Sequence, residues 1–240
     1  MIDLPDCSVT ETHARGLRRA EDRWVDQRLA HWRPHHKPRR FGPRVRQLHE
    51  QFMAIYGEGR LLREFDGKKS VRWFCVEHES DGRYRVAVRS LDRRPGRTQL
   101  SAGRLPIEAT SHAYERFIQA MQRFDSDWVG TVMDVFKVIC TTPGYDVDNQ
   151  VANSDRTVWR SHGFTKIWLE SGLAFVEIPE RGAAVLRTLV DADALIGPNR
   201  SLWETLGSSE QKMRFVEREA FEYRDPFTAQ SWLEPPGEPA

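Results

Sequence analysis

The sequence predicts an α+β protein, and three observations carry that prediction. Apolar residues recur at helical spacing through the first 60 positions, and β-branched and aromatic residues gather in short runs from Val71 onward. A Ser-capped helical stretch at 111–124 separates two groups of those runs. The expected order is N-terminal helices, a β-hairpin, central helices and a small C-terminal antiparallel sheet. By composition the chain divides into a basic helical region (1–60), an α+β core (61–206) and a C-terminal helix with a flexible tail (207–240).

Ser8-Val9-Thr10-Glu11 has the form of a capping box and predicts a helix from about Thr10 to Trp32, with Leu17, Ala20, Trp24, Val25, Leu29 and Trp32 as its apolar residues. Pro34 ends it. Val45, Leu48, Phe52, Ile55 and Tyr56 form a narrow stripe on a second helix, stopped by Gly57 and Gly59. Val71–Glu77 and Tyr84–Ser90 read as a hairpin around Ser80-Asp81-Gly82. Leu91–Leu105, with Arg93, Arg94, Arg97 and Arg104 beside Pro95, Gly96 and Gly103, reads as a basic loop around a short edge strand.

Ser111 is placed to cap a helix from His112 to about Phe124. Trp128, Val132, Val135, Phe136 and Ile139 continue the helical period, although their Val and Thr content also suits a strand. Thr141–Arg156 reads as a long loop. Phe164–Glu170 and Leu173–Pro179 form a hairpin around Ser171-Gly172, Ala183–Val190 is a third strand, and Gly197-Pro198-Asn199 marks a break. A polar helix is expected over Ser209–Glu222. Trp73, Trp128 and Trp168 are expected in the core, with Cys75 and Cys140 as inert thiols beside them.

Thirty-six Lys and Arg against 35 Asp and Glu leave a net charge of +1, which excludes a uniformly basic protein. The distribution is two-ended: residues 1–110 carry 23 basic and 15 acidic side chains, residues 111–240 carry 13 and 20. No run approaches the ~18–20 apolar residues of a membrane span, and Met1–Leu17 lacks the pattern of a secretory signal, so a cytoplasmic protein with no membrane contact is expected. Cys7, Cys75 and Cys140 are too few and too scattered for a disulfide framework or a paired zinc site. There is no HExxH, GxxxxGK[ST], GxSxG or GxGxxG, and no metal or other cofactor is expected.

Two segments carry candidate chemistry. At ~100° per residue, His112, Arg116, Gln119 and Arg123 fall on one helical arc, while Ala113, Phe117, Ala120, Met121 and Phe124 fall on another. An imidazole with a reference pKa of ~6.5 moves protons near neutrality, and arginine offers phosphate a fixed fork of donors. His112 is therefore the candidate acid or base, and Arg116 and Arg123 the candidate phosphate ligands, of a phosphodiester chemistry in which a 2′-hydroxyl is activated without a metal. The second segment, Arg33–Arg46, reads RPHHKPRRFGPRVR and contains no acid. Arg33, Lys37, Arg39, Arg40, Arg44 and Arg46 can follow phosphates, and Trp32 and Phe41 can stack on bases.

Ser111-x-Ala113 followed by Arg116 and Arg123, and then by a sheet whose last strand holds Arg187-Thr188, resembles the metal-independent RNase toxin superfamily with barnase-like or RelE-like folds over residues 105–196. The resemblance implies a helical His or Arg meeting sheet-borne Arg and Thr, so that His112, Arg116 and Thr188 would be catalytic and Arg187 would bind nucleic acid at the sheet face. The leading expectation is thus a metal-independent RNA-cleaving or RNA-processing enzyme. The alternatives are a nucleic-acid-binding or protein adaptor carried by the basic segment, and a structural component of a phage or secretion assembly with a protein partner.

Overall fold

The computed structural model describes residues 9–32, 40–95, 97–120, 127–141, 156–159 and 162–206. Helices α1 (Glu11–His31) and α2 (Phe41–Tyr56) lead through a 3-10 turn, Glu58–Arg60, into strands β1 (Leu61–Asp66), β2 (Ser70–His78), β3 (Arg83–Arg94) and β4 (Arg97–Thr110). Helices α3 (Ser111–Ala120) and α4 (Trp128–Thr141) follow. Strands β5 (Gly163–Leu169), β6 (Gly172–Ile178) and β7 (Ala184–Asp191) and helix α5 (Gly197–Thr205) complete the described chain.

The class is α+β, as the sequence predicts, but the strands form one seven-stranded mixed sheet in the order β1-β2-β3-β4-β7-β6-β5. The expected hairpin and the expected small C-terminal sheet are two antiparallel meanders joined by a parallel pairing of β4 with β7, through Ile107↔Ala184, Glu108↔Val185 and Ala109↔Leu186. Thr110 secures that junction. Its Oγ1 donates to the Arg187 carbonyl at 2.7 Å and accepts from Ala113 N at 3.1 Å, so Thr110 caps α3 in place of the expected Ser111. Ser111 instead donates to the Gly82 carbonyl at 2.6 Å. Similarly, Thr10 rather than Ser8 caps α1, accepting from His13 N.

Alternation along β2 explains why the sheet is covered on both faces. Val71, Trp73 and Cys75 join one apolar cluster with Val25, Val45, Leu48, Phe52 and Ile55 of α1 and α2. Phe74 and Val76 join another with Tyr114, Phe117, Trp128, Val132 and Leu186. Trp73, Trp128 and Trp168 are buried as expected, and so is Cys75, but Cys140 is exposed on α4. The apolar arc of α1 also divides: Val25 is buried and Leu29 and Trp32 pack beneath it, whereas Leu17, Ala20 and Trp24 are exposed.

The region expected as a basic loop, 91–105, is the body of the long β3–β4 hairpin, because its arginines project from a regular ladder that continues to Arg94↔Arg97. The segment from Trp128 is helical, with Asp127 Oδ1 accepting from Gly130 N at 2.7 Å at its start. The break at Gly197-Pro198-Asn199 opens α5, where proline suits the first turn because its missing N–H has no helical partner there. Of the expected long loop, Thr141 is instead the last residue of α4, and positions 142–155 lie outside the described residues, as do the helix over 209–222 and the tail. No helix among the described residues is long and apolar enough to cross a membrane.

Candidate nucleic-acid interface

The α3 stripe is oriented as its periodicity requires. Ala113, Tyr114, Phe117 and Ile118 are buried while His112 and Arg116 are exposed. Arg116 Nη1 donates to Gln119 Oε1 at 3.1 Å, one helical turn along the same face. The helix packs against β7, the strand that carries Arg187 and Thr188. The Arg187 guanidinium, however, is bound to Glu177 across the β6–β7 pair. Thr188 pairs with Phe175 next to a register shift and is half-buried. His112 makes no hydrogen bond or ion pair to any described residue, so the residues brought onto neighbouring elements do not form one bonded constellation. Arg123 lies outside the described residues, as do Arg33, Lys37 and Arg39.

A shallow, widely open depression lies elsewhere, between the C-terminal half of α1 and the last turns of α2. This groove of about 630 Å³ is lined by Gln27, Arg28, His31, Trp32, Gln51, Ala54 and Ile55. Its wall exists because Trp32 packs on Phe52 with ring centroids 5.6 Å apart, and Phe52 in turn meets Trp73 of β2 edge-on at 5.4 Å. Gln51 Oε1 is buried beneath that lining, with no hydrogen-bond partner among the described residues. Beside it, Trp24 is 50% exposed and the Arg28 guanidinium lies over its ring at 3.2 Å from the centroid. That stacked pair presents a flat, cationic and apolar surface at once.

Among the described residues, Trp32 alone of the expected binding residues lines this groove. Arg40 and Arg46 are exposed near the start of α2, and Phe41 packs into the cluster beneath α2. Arg44 is buried and donates to Gln47 Oε1 at 3.1 Å, an intrahelical contact that withdraws it from the surface. Sequence reasoning missed Trp24, Gln27, Arg28, His31 and Gln51. Trp24 and Arg28 are four residues apart on one helix, which brings their side chains together and was a readable signal.

A buried polar network holds α1 in place behind the groove. Asp22 accepts from Arg60 Nη2 at 2.7 Å, Tyr84 OH at 2.8 Å and Arg18 Nη1 at 3.2 Å. Arg18 Nε donates to Glu115 Oε1 of α3 at 2.9 Å, Arg60 Nε to Tyr114 OH at 3.2 Å, and Tyr114 OH to Glu21. Burial works against the charge on Arg60, yet Tyr114 and Asp22 hold its pKa above the usual arginine range. Burial raises Tyr84 and Tyr114, with the Asp22 charge adding to Tyr84 and Glu21 to Tyr114, so both phenols stay protonated. On α2, His49 Nδ1 is also buried without a partner among the described residues, and desolvation together with Arg63 lowers its pKa.

Among the described residues no three His, Cys, Asp or Glu side chains converge as a metal-binding group. No known protein family, curated protein or solved structure matches this chain.

Proposed function

We propose that this chain is a non-enzymatic binding module that takes single-stranded nucleic acid across the face formed by α1 and α2. The observation that carries the reading is the Arg28–Trp24 stack, 3.2 Å from guanidinium to ring centroid, at the mouth of a groove walled by Trp32. A base can stack on such a surface while its phosphate meets a fixed cation, and this contact tolerates any base because every base has a π-face. The sequence between the helices and at the start of α2 supplies further cations, Arg33, Lys37, Arg39, Arg40 and Arg46, and residues 27–46 contain no acid.

The RNA-cleaving reading has weaker support. His112 lacks a bonded partner among the described residues, Arg116 is engaged with Gln119, and Arg187 is engaged with Glu177. The deciding experiment titrates the full chain into a fluorescently labelled oligouridylate of about 12 nucleotides, read by anisotropy across roughly 50 to 200 mM salt. Trp24→Ala is expected to weaken binding about 5- to 150-fold, the range given by ~1–3 kcal/mol per stacked base. His112→Ala is expected to bind like the parent. Equal binding by Trp24→Ala and the parent would remove the basis of the proposal.

A further inference from the structure

The structure assigns a second contact to the same ligand: the paired tips of the β1–β2 and β3–β4 hairpins bind the phosphodiester backbone of a single strand that begins in the groove. The ligand class rests on the function proposed above; the surface itself stands on separate observations. Lys68 and Lys69 occupy one tip and Arg93, Arg94 and Arg97 the other, all exposed. Arg93 N donates to the Lys69 carbonyl at 2.7 Å, so the two tips abut and their cations form one patch.

That patch gathers cations that the sheet elsewhere pairs with acids. Several sheet arginines away from the tips are neutralised: Arg83 and Arg85 pair with Glu108, Arg89 with Glu77, Arg104 with Glu79 and Arg187 with Glu177. None of the five tip cations is paired with a carboxylate among the described residues, and neither 67–72 nor 93–97 contains an acid. Asp92, the acid preceding the second tip, accepts from Ser70 Oγ at 2.7 Å. The five tip cations outnumber the two acids that flank them, Asp66 and Asp92, and the repulsion of the net positive patch is relieved when phosphates replace its counterions. Phe65, 61% exposed with Arg63 over its ring at 5.2 Å, adds a stacking face on the neighbouring edge strand.

The patch and the groove are connected by α2. Tyr56 OH donates to Glu77 Oε1 at 2.6 Å near one end of β2, and Phe52 meets Trp73 one helical turn earlier, so α2 runs back along β2 toward Ser70 and the tips. From Glu77 to Ser70 is about 23 Å at ~3.3 Å per strand residue. A short oligonucleotide therefore fills the groove alone, and a longer one reaches both surfaces.

The test compares oligouridylates of about 5 and about 20 nucleotides on the full chain and on a variant combining Lys68→Gln, Lys69→Gln, Arg93→Gln and Arg94→Gln, with unchanged thermal melting as the control for folding. The long oligomer is expected to lose roughly tenfold or more in affinity, and its log–log salt slope to fall by about 2 to 3, at ~0.7 per single-strand phosphate contact. The short oligomer is expected to bind the variant as it binds the parent. An unchanged slope for the long oligomer overturns the inference, and so does an equal loss for both lengths. Binding of phosphatidylserine vesicles through the tips with no change for RNA also overturns it. If Trp24→Ala binds both lengths normally while the tip variant still loses the long one, the groove reading fails and the tip surface stands.

Discussion

Replacing Asp22 with alanine is expected to destabilise the fold by about 3–5 kcal/mol, the typical cost of removing one partner from a buried ion pair. The structure supports the size of that effect. Asp22 is 5% exposed and is the shared acceptor for Arg60, Arg18 and Tyr84, so its loss strands a guanidinium that is only 3% exposed and removes the Tyr84 hydroxyl's acceptor. Glu21 offers Arg60 a contact at 3.4 Å, too long to replace the 2.7 Å bond. Exposed pairs such as Arg200–Glu204 contribute only ~0.3–0.5 kcal/mol, so the two classes are separable in one experiment. Urea unfolding at neutral pH, with the slope compared between proteins, gives the free energy; the midpoint temperature is expected to fall by ~2–4 °C per kcal/mol for a chain of this size. Adding Arg60→Met to Asp22→Leu is expected to recover much of the loss, because the cost arises from the uncompensated charge. A loss below about 1 kcal/mol for Asp22→Ala would refute the claim that this network fixes α1 to the sheet.

Other expectations follow from single sites. His49 has its folded pKa lowered by burial and by Arg63, with Glu50 acting in the opposite sense, so the unfolded chain takes up the proton first as pH falls; stability is expected to be level above about pH 6.5 and to decline below it, and His49→Gln should flatten the decline in urea melts between about pH 7 and 5. Gly172→Ala is expected to cost more than about 2 kcal/mol in the same assay, since a Cβ there would sit 2.1 Å from the Val190 carbonyl oxygen at a backbone φ of +151°. Thr110→Ala, which removes both the α3 cap and the link to β7, is expected to cost about 1–2 kcal/mol by thermal unfolding. Incubation of mixed RNA and DNA with EDTA is expected to leave both intact in the parent and in His112→Ala; cleavage by the parent alone would restore the enzymatic reading.

What could be read from the sequence was whatever depends on local periodicity. The Val45–Tyr56 stripe, the Val71–Glu77 strand and the 163–178 hairpin announce themselves because one side of each is apolar at a fixed spacing. β1 did not, since Leu61-Leu62-Arg63-Glu64-Phe65 lies at the sheet edge and mixes exposed charge with a half-buried apolar side. The joining of β4 to β7 was invisible because no local pattern specifies which distant strand a parallel edge will meet. Asp22 stands on the same arc of α1 as Ala14, Val25 and Leu29, and a carboxylate on an apolar arc is the trace that a buried network leaves in sequence. The groove left a fainter trace, because Gln27, His31, Gln51 and Ala54 acquire meaning only when the two helices are laid side by side.

The weld between β4 and β7 has a kinetic corollary. Each meander is built from neighbours in sequence and can zip from its own turns, whereas the Thr110–Arg187 contact closes a loop spanning 77 positions. The molecule is thus expected to assemble as two early ribbons whose seam forms late, and until it does the free margins of β4 and β7 are the sites at which one chain could be captured by another during synthesis.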